Sequence, residues 1–194
     1  VSCQTEPEGL DVNVGGNQLV NIAVGLPEAT RTSSGTGFDL TTLEANDLEL
    51  RYILEIYVAG DTENRIRKEA FSTASQVVFP VRLIPGRNYQ FVVWVDVVDA
   101  EADVDKHYYT RNLKEVTLNG EWKAMDETRD AFTTTELIKN FNSQSGITLT
   151  VKRPFAKLRV VTTDTEALNN LDVTPTTAVV RYATKHRASF NAYA

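Results

Sequence analysis

Apolar and polar residues alternate with a period of two along much of this chain, and this pattern most constrains its fold. In the segment LELRYILEIYVA, every second residue from Leu48 to Val58 is large and apolar. Such alternation places successive side chains on opposite faces of a β-strand. We therefore predict a long half-buried strand here, and an earlier one in QLVNIAVGL, where Val20, Ile22 and Val24 share one face.

A proline-glycine pair separates two further strands in SQVVFPVRLIPGRNYQFVVWVDVVD. Pro85 and Gly86 suit the two central positions of a type II turn, so we predict that the flanking strands form a hairpin. Residues 91–98 are apolar on both faces apart from Asp96, which is typical of a strand in the middle of a sheet. Trp94 lies within this apolar segment, and we assign it to the core.

Later segments continue the same pattern, and LKEVTLNG, SGITLTVKRPFAKLRVVTTD and TTAVVRYAT each predict a strand. The segment TTTELIKNF carries a weak helical signal, because Glu136 follows a capping threonine, and it predicts a single turn or a loop. Pro154 has no backbone N–H for a ladder and belongs at an edge or a bend. Seven or eight short strands with Gly, Pro and Asn turns indicate an all-β, two-sheet sandwich of Greek-key type.

Composition limits the size of the fold and its partners. A chain of 194 residues with 42% hydrophobic content can bury the core of one domain with additions, or of two small domains. The net charge of -6 opposes attraction to phosphate backbones, so we predict no nucleic-acid partner. No segment approaches the roughly 18 to 20 consecutive apolar residues that a membrane-spanning helix needs.

The single cysteine lies at the start of the chain, in VSCQTEPEG. A lone thiol excludes an internal disulfide, and the usual structural zinc sites need at least two cysteines. A small residue before a cysteine, followed by a polar tether, is typical of the processing site of a bacterial lipoprotein. We therefore predict that Cys3 is lipidated and that residues 1–16 form a tether; the alternative is an ordinary cysteine.

Residue types that carry most enzyme chemistry are sparse in this chain. His107 and His186 are its two histidines, and no serine lies in a nucleophile-elbow pattern. The glycine-rich segments GGN and SSGTGF lack the lysine and the strand-to-helix context of a phosphate-binding loop. We predict a protein that is not an enzyme and that binds no cofactor.

Acidic residues are concentrated in the segment DVVDAEADVDKHYY. They are Asp96, Asp99, Glu101, Asp103 and Asp105. Oxygen ligands at alternating positions suit calcium, but the central glycine and the terminal glutamate of an EF-hand are absent. We favour a solvated acidic loop with no metal, and calcium binding is the alternative.

Aromatic residues outside the predicted core suggest one other kind of site. Trp122, Tyr108, Tyr109 and Tyr193 carry rings on which a sugar could stack, provided that two of the rings are exposed and coplanar. Trp122, in NGEWKAMDE, is the strongest of these candidates because its surroundings are polar. The alternative is that these rings are part of the core.

Arg31 lies in EATRTSSGTGF, a polar connection after the first predicted strand. Polar loops of this kind are preferred sites of proteolysis. Cleavage after Arg31 would detach the strand that contains Val20, Ile22 and Val24, and would leave an unpaired edge for a strand of another chain. The alternative is an ordinary surface arginine.

Several segments together resemble a known family. They are the tether after Cys3, ATRT, LIPGRNYQFVVWVD, YYTRNLKEVTL, RDAF, VKRPFAKLRVVTTD and VRYATKHRASFNA. Over roughly Gln18 to Asn191 the chain is similar to the fimbrillin-type surface lipoproteins of Bacteroidales, which include major fimbrial subunits. The similarity lies in a pattern of strands and short segments and includes no catalytic signature.

This resemblance implies a fold, a processing pathway and a location. It implies a transthyretin-like β-sandwich over residues 17–161, a linker near Thr162 to Asp172, and the start of a second β domain over residues 173–194. Either most of that domain lies beyond Ala194, or this is a shorter member of the family that does not polymerise in the usual way. It also implies a lipid anchor at Cys3 in the outer membrane, and removal of the first strand by an arginine-specific protease at Arg31. The subunits would then polymerise into a fimbrium by strand donation.

We therefore predict a structural subunit of a cell-surface fimbria that functions in cell adhesion, with other fimbrial subunits as partners. Two alternatives remain open at this point. One is a surface glycan-binding lipoprotein of a carbohydrate uptake system. The other is a stalk or tip component that is incorporated without cleavage at Arg31.

Overall fold

The computed structural model describes residues 16–27, 40–102, 104–121, 123, 126–142, 146–155, 163–172, 174, 177, 179, 181, 183 and 188–194. Strands dominate these residues. They are β1 (Gln18–Gly25), β2 (Leu48–Val58), β3 (Arg65–Ser72), β4 (Gln76–Leu83), β5 (Tyr89–Asp99), β6 (Tyr108–Tyr109), β7 (Val116–Leu118), β8 (Ala131–Ile138), β9 (Ile147–Thr150) and β10 (Ser189–Phe190). Short 3-10 helices span Leu40–Thr42, Glu44–Asn46 and Glu127–Arg129, and one α-helix, α1, spans Thr165–Asn169.

Two sheets face each other across the main core. One sheet has the order β4-β1-β9, and the other has the order β3-β2-β5-β8. Their inward residues are apolar because the pattern of period two gives each strand an apolar face. This core includes Val20, Ile22 and Val24 of β1, Leu50, Tyr52 and Leu54 of β2, Phe79 and Val81 of β4, Phe91, Val93 and Val95 of β5, and Leu149 of β9.

The path of the chain confirms the predicted all-β sandwich of Greek-key type. β2 and β3 pair antiparallel, β4 crosses to the opposite sheet, and β5 returns to pair antiparallel with β2. This order is the Greek-key arrangement, here folded over two sheets. β1 pairs antiparallel with β4 and parallel with β9, so it lies in the middle of its sheet.

The predicted hairpin at Pro85 and Gly86 is wrong. The turn itself is present, and the φ angle of +80° at Gly86 suits the third position of a type II turn. However, β4 pairs with β1 whereas β5 pairs with β2 and β8, so the turn carries the chain from one sheet to the other. The backbone N–H of Gly86 donates to the carbonyl of Phe141 at 2.6 Å, which fixes this crossing.

β2 is buried on both faces, and the prediction of a half-buried strand is therefore wrong. A small sheet of order β10-β7-β6 covers the side of the four-stranded sheet that faces away from the main core. The second core that results contains Ile53, Tyr57, Val92, Trp94, Tyr108, Leu113, Val116, Ala131 and Ala192. The predictions of a central β5 and a buried Trp94, which is 0% exposed, are confirmed.

The segment TTTELIKNF contains no helical turn among its described residues, because most of it belongs to strand β8. Thr133 and Thr135 donate their hydroxyl hydrogens to carbonyls of β5, those of Val93 and Phe91. Thr133 also forms a pair of backbone hydrogen bonds with Lys152, at 2.8 and 2.9 Å, just after β9. This bridge joins the two sheets at one side of the sandwich, and Pro154 follows it in a bend, as predicted.

The final residues of the chain contact the same four-stranded sheet. β10 pairs antiparallel with β7, and Ala192 lies in the second core with Phe190 packed against it. The assignment of residues 173–194 to a second domain stays a prediction. The segment TTAVVRYAT is described only at Thr177, Val179, Arg181 and Ala183, so its strand stays a prediction. The part of RPFAKLRVV that contains Lys157 and Arg159 lies outside the described residues.

Truncation of a leucine in the main core is expected to destabilise the fold. Leu54 is 0% exposed, so Leu54→Ala should lower the free energy of unfolding by about 2–5 kcal/mol through lost burial and a cavity. Leu137→Ala is the matched control, because Leu137 is 46% exposed and its truncation should cost less than about 1 kcal/mol. Urea denaturation would measure both free energies of unfolding, provided that their dependence on urea concentration is the same in the variants as in the parent protein. Equal losses in the two variants would contradict this assignment of the core.

Candidate functional site

The predicted removable strand, β1, occupies the centre of the three-stranded sheet. All of its residues from Gln18 to Gly25 pair with β4, and its second half, from Ile22, also pairs with β9. Val20, Ile22 and Val24 are 1%, 0% and 0% exposed and point into the main core. The sequence prediction of a strand with these inward residues is therefore confirmed.

Loss of β1 would change the protein in a specific way. A strand with neighbours on both sides satisfies its own backbone groups and those of each neighbour. Without β1, the edges of β4 and β9 that face it would be unpaired, and the apolar residues beneath would be open to water. The result would be a groove of one strand's width with hydrogen-bonding walls and an apolar floor.

The residues proposed for anchoring and processing lie outside the described part of the chain. These are Cys3 and Arg31, and their assignments stay predictions. The described part resumes at Leu40, in the 3-10 helix that precedes β2. Among the described residues, no helix has the length and apolar character needed to cross a membrane.

A buried ion pair lies on the other face of the four-stranded sheet. Arg51 of β2 stands opposite Asp96 of β5, and its Nε and one terminal nitrogen donate to the two carboxylate oxygens at 3.0 and 2.7 Å. Its other terminal nitrogen donates to Asp105 at 2.7 Å. Burial acts to lower the pKa of Arg51, but the hydrogen bonds and charges of both carboxylates outweigh it and raise the pKa. Complete burial raises the pKa of Asp96, against the effect of the Arg51 guanidinium.

A second buried carboxylate, Glu55, lies on the same face of β2. Its side chain is fully buried, and one oxygen accepts from Arg65 and from Arg67, each at 2.7 Å. The other oxygen accepts the hydroxyl hydrogen of Tyr57 at 2.6 Å. Burial, followed by this hydrogen bond and the charge of Glu55, raises the pKa of Tyr57. Two arginines of the edge strand β3 are thereby fixed over the sheet.

The acidic residues of the segment for which calcium binding was the alternative are divided among separate contacts. Arg51 binds Asp96 and Asp105, and Lys106 binds Asp99. The remaining two are Glu101, in an exposed turn, and Asp103, outside the described residues. No group of three potential metal ligands occurs among the residues that the structure describes. The cluster therefore supplies partners for cationic side chains, and the calcium alternative gains no support.

His107 belongs to a short chain of polar contacts with Asp126 and Thr128. The Thr128 hydroxyl donates to Asp126 at 2.5 Å, so it accepts from Nε2 of His107 at 2.8 Å. Nε2 of the imidazole is thus a hydrogen-bond donor to Thr128 and does not remove a proton from the Thr128 hydroxyl. Burial is the largest effect on His107 and lowers its pKa. These contacts tie the start of β6 to the 3-10 helix before β8.

The residues proposed to stack on a sugar do not form a platform where the structure describes them. Tyr108 is 3% exposed, its hydroxyl donates to the carbonyl of Arg129 at 2.6 Å, and its ring packs on Trp94. Burial raises the pKa of Tyr108 to about 12. Tyr109 is 51% exposed and points to the opposite face of β6, so the two rings do not share one exposed surface. The proposed role of Tyr108 is therefore wrong, and Trp122 lies outside the described residues.

Sequence reasoning missed Arg51 and Glu55 as buried residues, although a signal for them exists. Both share a strand face with Ile53 and Tyr57, and Asp96 interrupts an apolar segment. A charged residue on an otherwise apolar face indicates either a solvated face or a buried ion pair. The partners cannot be read from the sequence, because Arg51 and Asp96 lie 45 positions apart.

Breaking the buried pair is expected to destabilise the protein strongly. Asp96→Asn leaves the Arg51 guanidinium buried with one carboxylate, which should lower the free energy of unfolding by about 3–5 kcal/mol. The matched control is Asp99→Asn. Its carboxylate is 52% exposed and pairs with Lys106, so its loss should cost less than about 1 kcal/mol. Equal effects of the two changes in urea denaturation would contradict the importance of the buried pair.

The lowered pKa of His107 predicts a loss of stability in mild acid. The fold favours the neutral imidazole, so its contribution is fully present above the ordinary pKa of 6.5 and is lost as the pH falls through the lower folded pKa. His107→Gln keeps an N–H donor and should flatten the dependence of the unfolding free energy on pH as the pH falls below about 6.5. His186→Gln is the control; an unchanged slope in His107→Gln would contradict this prediction.

Comparisons with known proteins give one structural similarity and one family. No curated protein matches the chain. A solved structure described as "a putative adhesin from Bacteroides ovatus" is 12% identical with a TM-score of 0.38, and the match covers 78% of this chain and 50% of that one. The chain thus spans half the length of the solved structure it matches. The model of a family described as "Family of unknown function (DUF6562)" matches residues 12–194, and the chain belongs to this family.

Proposed function

We propose that this protein is a structural subunit of a cell-surface fimbria, that it assembles by β-strand donation after β1 is removed, and that it functions in cell adhesion. The observation that carries the proposal is the position of β1 between β4 and β9 over the main core. A strand in this place can be exchanged for an equivalent strand of another subunit, because both make the same kinds of contact.

The contacts of β1 indicate what a donor strand must supply. Backbone hydrogen bonds to β4 and β9 are independent of sequence and would contribute affinity. Apolar side chains at alternate positions, in the places of Val20, Ile22 and Val24, would fill the floor of the groove and contribute specificity. A donor that runs in the direction of β1 would reproduce both the antiparallel and the parallel pairing.

The proposal includes a processing step and an anchor. An arginine-specific protease would cut after Arg31, so that the released segment contains the whole of β1. Before cleavage, a lipid on Cys3 would hold the subunit at the outer membrane of the cell surface. The polar tether, residues 1–16, would separate that lipid from the folded domain.

Two alternatives differ from this proposal in their binding residues or in their processing. The glycan-binding lipoprotein was predicted from a platform of exposed rings, and Tyr108 is buried in the second core. A stalk or tip component would differ from the proposed subunit in keeping β1, so the fate of Arg31 separates these two roles.

Strand exchange can be tested with a cleaved protein and synthetic strands. We expect an arginine-specific protease to cut the folded full chain after Arg31, and Arg31→Ala to prevent this cut. After the N-terminal piece is removed in mild denaturant, a peptide of residues 16–27 should rebind and restore the stability of the uncut chain. Mass spectrometry, size-exclusion chromatography and thermal melting would follow these steps.

Peptide variants make the test specific for the groove. Ile22→Asp in the peptide should weaken binding by about tenfold or more, because Ile22 is fully buried in the intact protein. Leu19→Asp is the matched control, since Leu19 is 54% exposed and on the outer face, and it should bind nearly as well as the parent peptide. Resistance at Arg31, or equal binding of both variants, would refute the exchange of β1.

A further inference from the structure

We propose that this protein has a second binding site, a cationic cleft that accepts a sugar-sized ligand bearing one carboxylate or sulfate group. The cleft has a volume of about 500 Å³ and lies between the start of β3 and the segment before β7. Its charged lining residues are Arg65, Arg111, Lys114 and Glu63. It lies on the side of the four-stranded sheet away from β1, so the proposal does not depend on strand exchange.

Lys114 contributes a positive charge that is in direct ion-pair contact with no carboxylate of the described residues. Its ammonium group donates to the carbonyl of Thr62 and lies 5.1 Å and 5.3 Å from the ring centres of Tyr57 and Tyr193. Carbonyl and ring contacts hold the ammonium group in place but leave its charge intact. The carboxylate of Asp61 interacts with Lys114 only through its charge, without a direct ion pair, and it accepts hydrogen bonds from Asn64 and from the backbone of Glu63.

The guanidinium group of Arg65 lines the cleft, and two of its three nitrogens have partners in the described part of the protein. Its Nε binds Glu55 at 2.7 Å, and one terminal nitrogen donates to the carbonyl of Arg111 at 3.2 Å. The other terminal nitrogen has no hydrogen-bond partner in the described part of the chain, and the side chain is 33% exposed. The guanidinium is therefore oriented by the protein and retains donors for a ligand.

Arg111 has an exposed side chain with no hydrogen bond or ion pair among the residues described here, yet its backbone is fixed. Arg65 and Arg67 bind the carbonyls of Arg111 and Thr110, and Asn112 accepts the backbone N–H of Lys114 through its side-chain oxygen. The segment therefore needs little reordering when a ligand binds. A preorganised backbone of this kind reduces the entropic cost of binding.

The chemistry of the lining selects the class of ligand. Guanidinium and ammonium groups recognise oxyanions through charge-assisted hydrogen bonds. Glu63, in the same lining, can accept from a sugar hydroxyl and would repel a densely charged phosphate chain. The net charge of -6 also opposes long polyanions, and a volume of about 500 Å³ is within the range of small-ligand sites.

The ligand class can be tested on the full chain by NMR titration. The probes are glucuronic acid and galactose 6-sulfate, each compared with its neutral counterpart, glucose or galactose. We expect at least one charged probe to shift the amide signals of residues 62–65 and 111–114, more weakly at higher salt, and the neutral sugars to leave them unchanged. A response to one charged probe alone would identify the preferred oxyanion. No response to either, or an equal response to the neutral sugars, would overturn the proposal.

Two matched variants locate the site. Arg111→Gln removes an exposed charge and should weaken binding of the charged probe about tenfold or more without changing thermal stability. Lys68→Gln removes an exposed charge from the opposite face of β3 and should leave binding unchanged. Equal weakening by the two variants would indicate nonspecific attraction, and no effect of Arg111→Gln would place any binding elsewhere; either result would refute the site.

Discussion

The burial of β2 on both of its faces is the constraint on which the rest of the structure depends. This strand has an apolar face toward the main core and a mixed face that carries Arg51 and Glu55. Charged groups can be buried only with partners that satisfy their hydrogen bonds. Asp96 of the adjacent strand satisfies one of them, and arginines of the other adjacent strand satisfy the second. The ion pairs thus connect three neighbouring strands through their side chains as well as their backbones.

This requirement also explains the small third sheet. β6 and β7 with β10 cover the mixed face, and Trp94 contacts the rings of Tyr108, Phe155 and Phe190 there. The segment between β6 and β7 carries the carbonyls of Thr110 and Arg111, which accept hydrogen bonds from arginines of β3. The buried carboxylate, the edge strand and the segment above it form one connected polar network. The cationic cleft lies at the outer end of that network.

Most strands of the sandwich could be predicted from the sequence, but few of the contacts between its side chains could. Alternation located β1, β2 and β7, because one apolar face is enough to define a strand, and a segment apolar on both faces located β5. It could not assign strands to sheets, and the turn at Gly86 has the same local chemistry in a hairpin and in a crossing between sheets. β8 was missed because its threonines use their hydroxyls on neighbouring carbonyls, a contact that the sequence does not reveal. The pairing of Glu55 with Arg65 and Arg67 depends on strand register, which follows only from the assembled fold.

The bridge between Thr133 and Lys152 has a mechanical consequence for the sheet that contains β1. It secures the chain directly after β9 to the opposite sheet by two backbone hydrogen bonds that do not involve β1. On the other side of β1, the turn that follows β4 is fixed by the hydrogen bond between Gly86 and Phe141. The two neighbours of β1, β4 and β9, are thus each attached to the rest of the domain by contacts that do not involve β1. If β1 is removed as proposed, these contacts would act to keep β4 and β9 at the spacing that a donor strand needs.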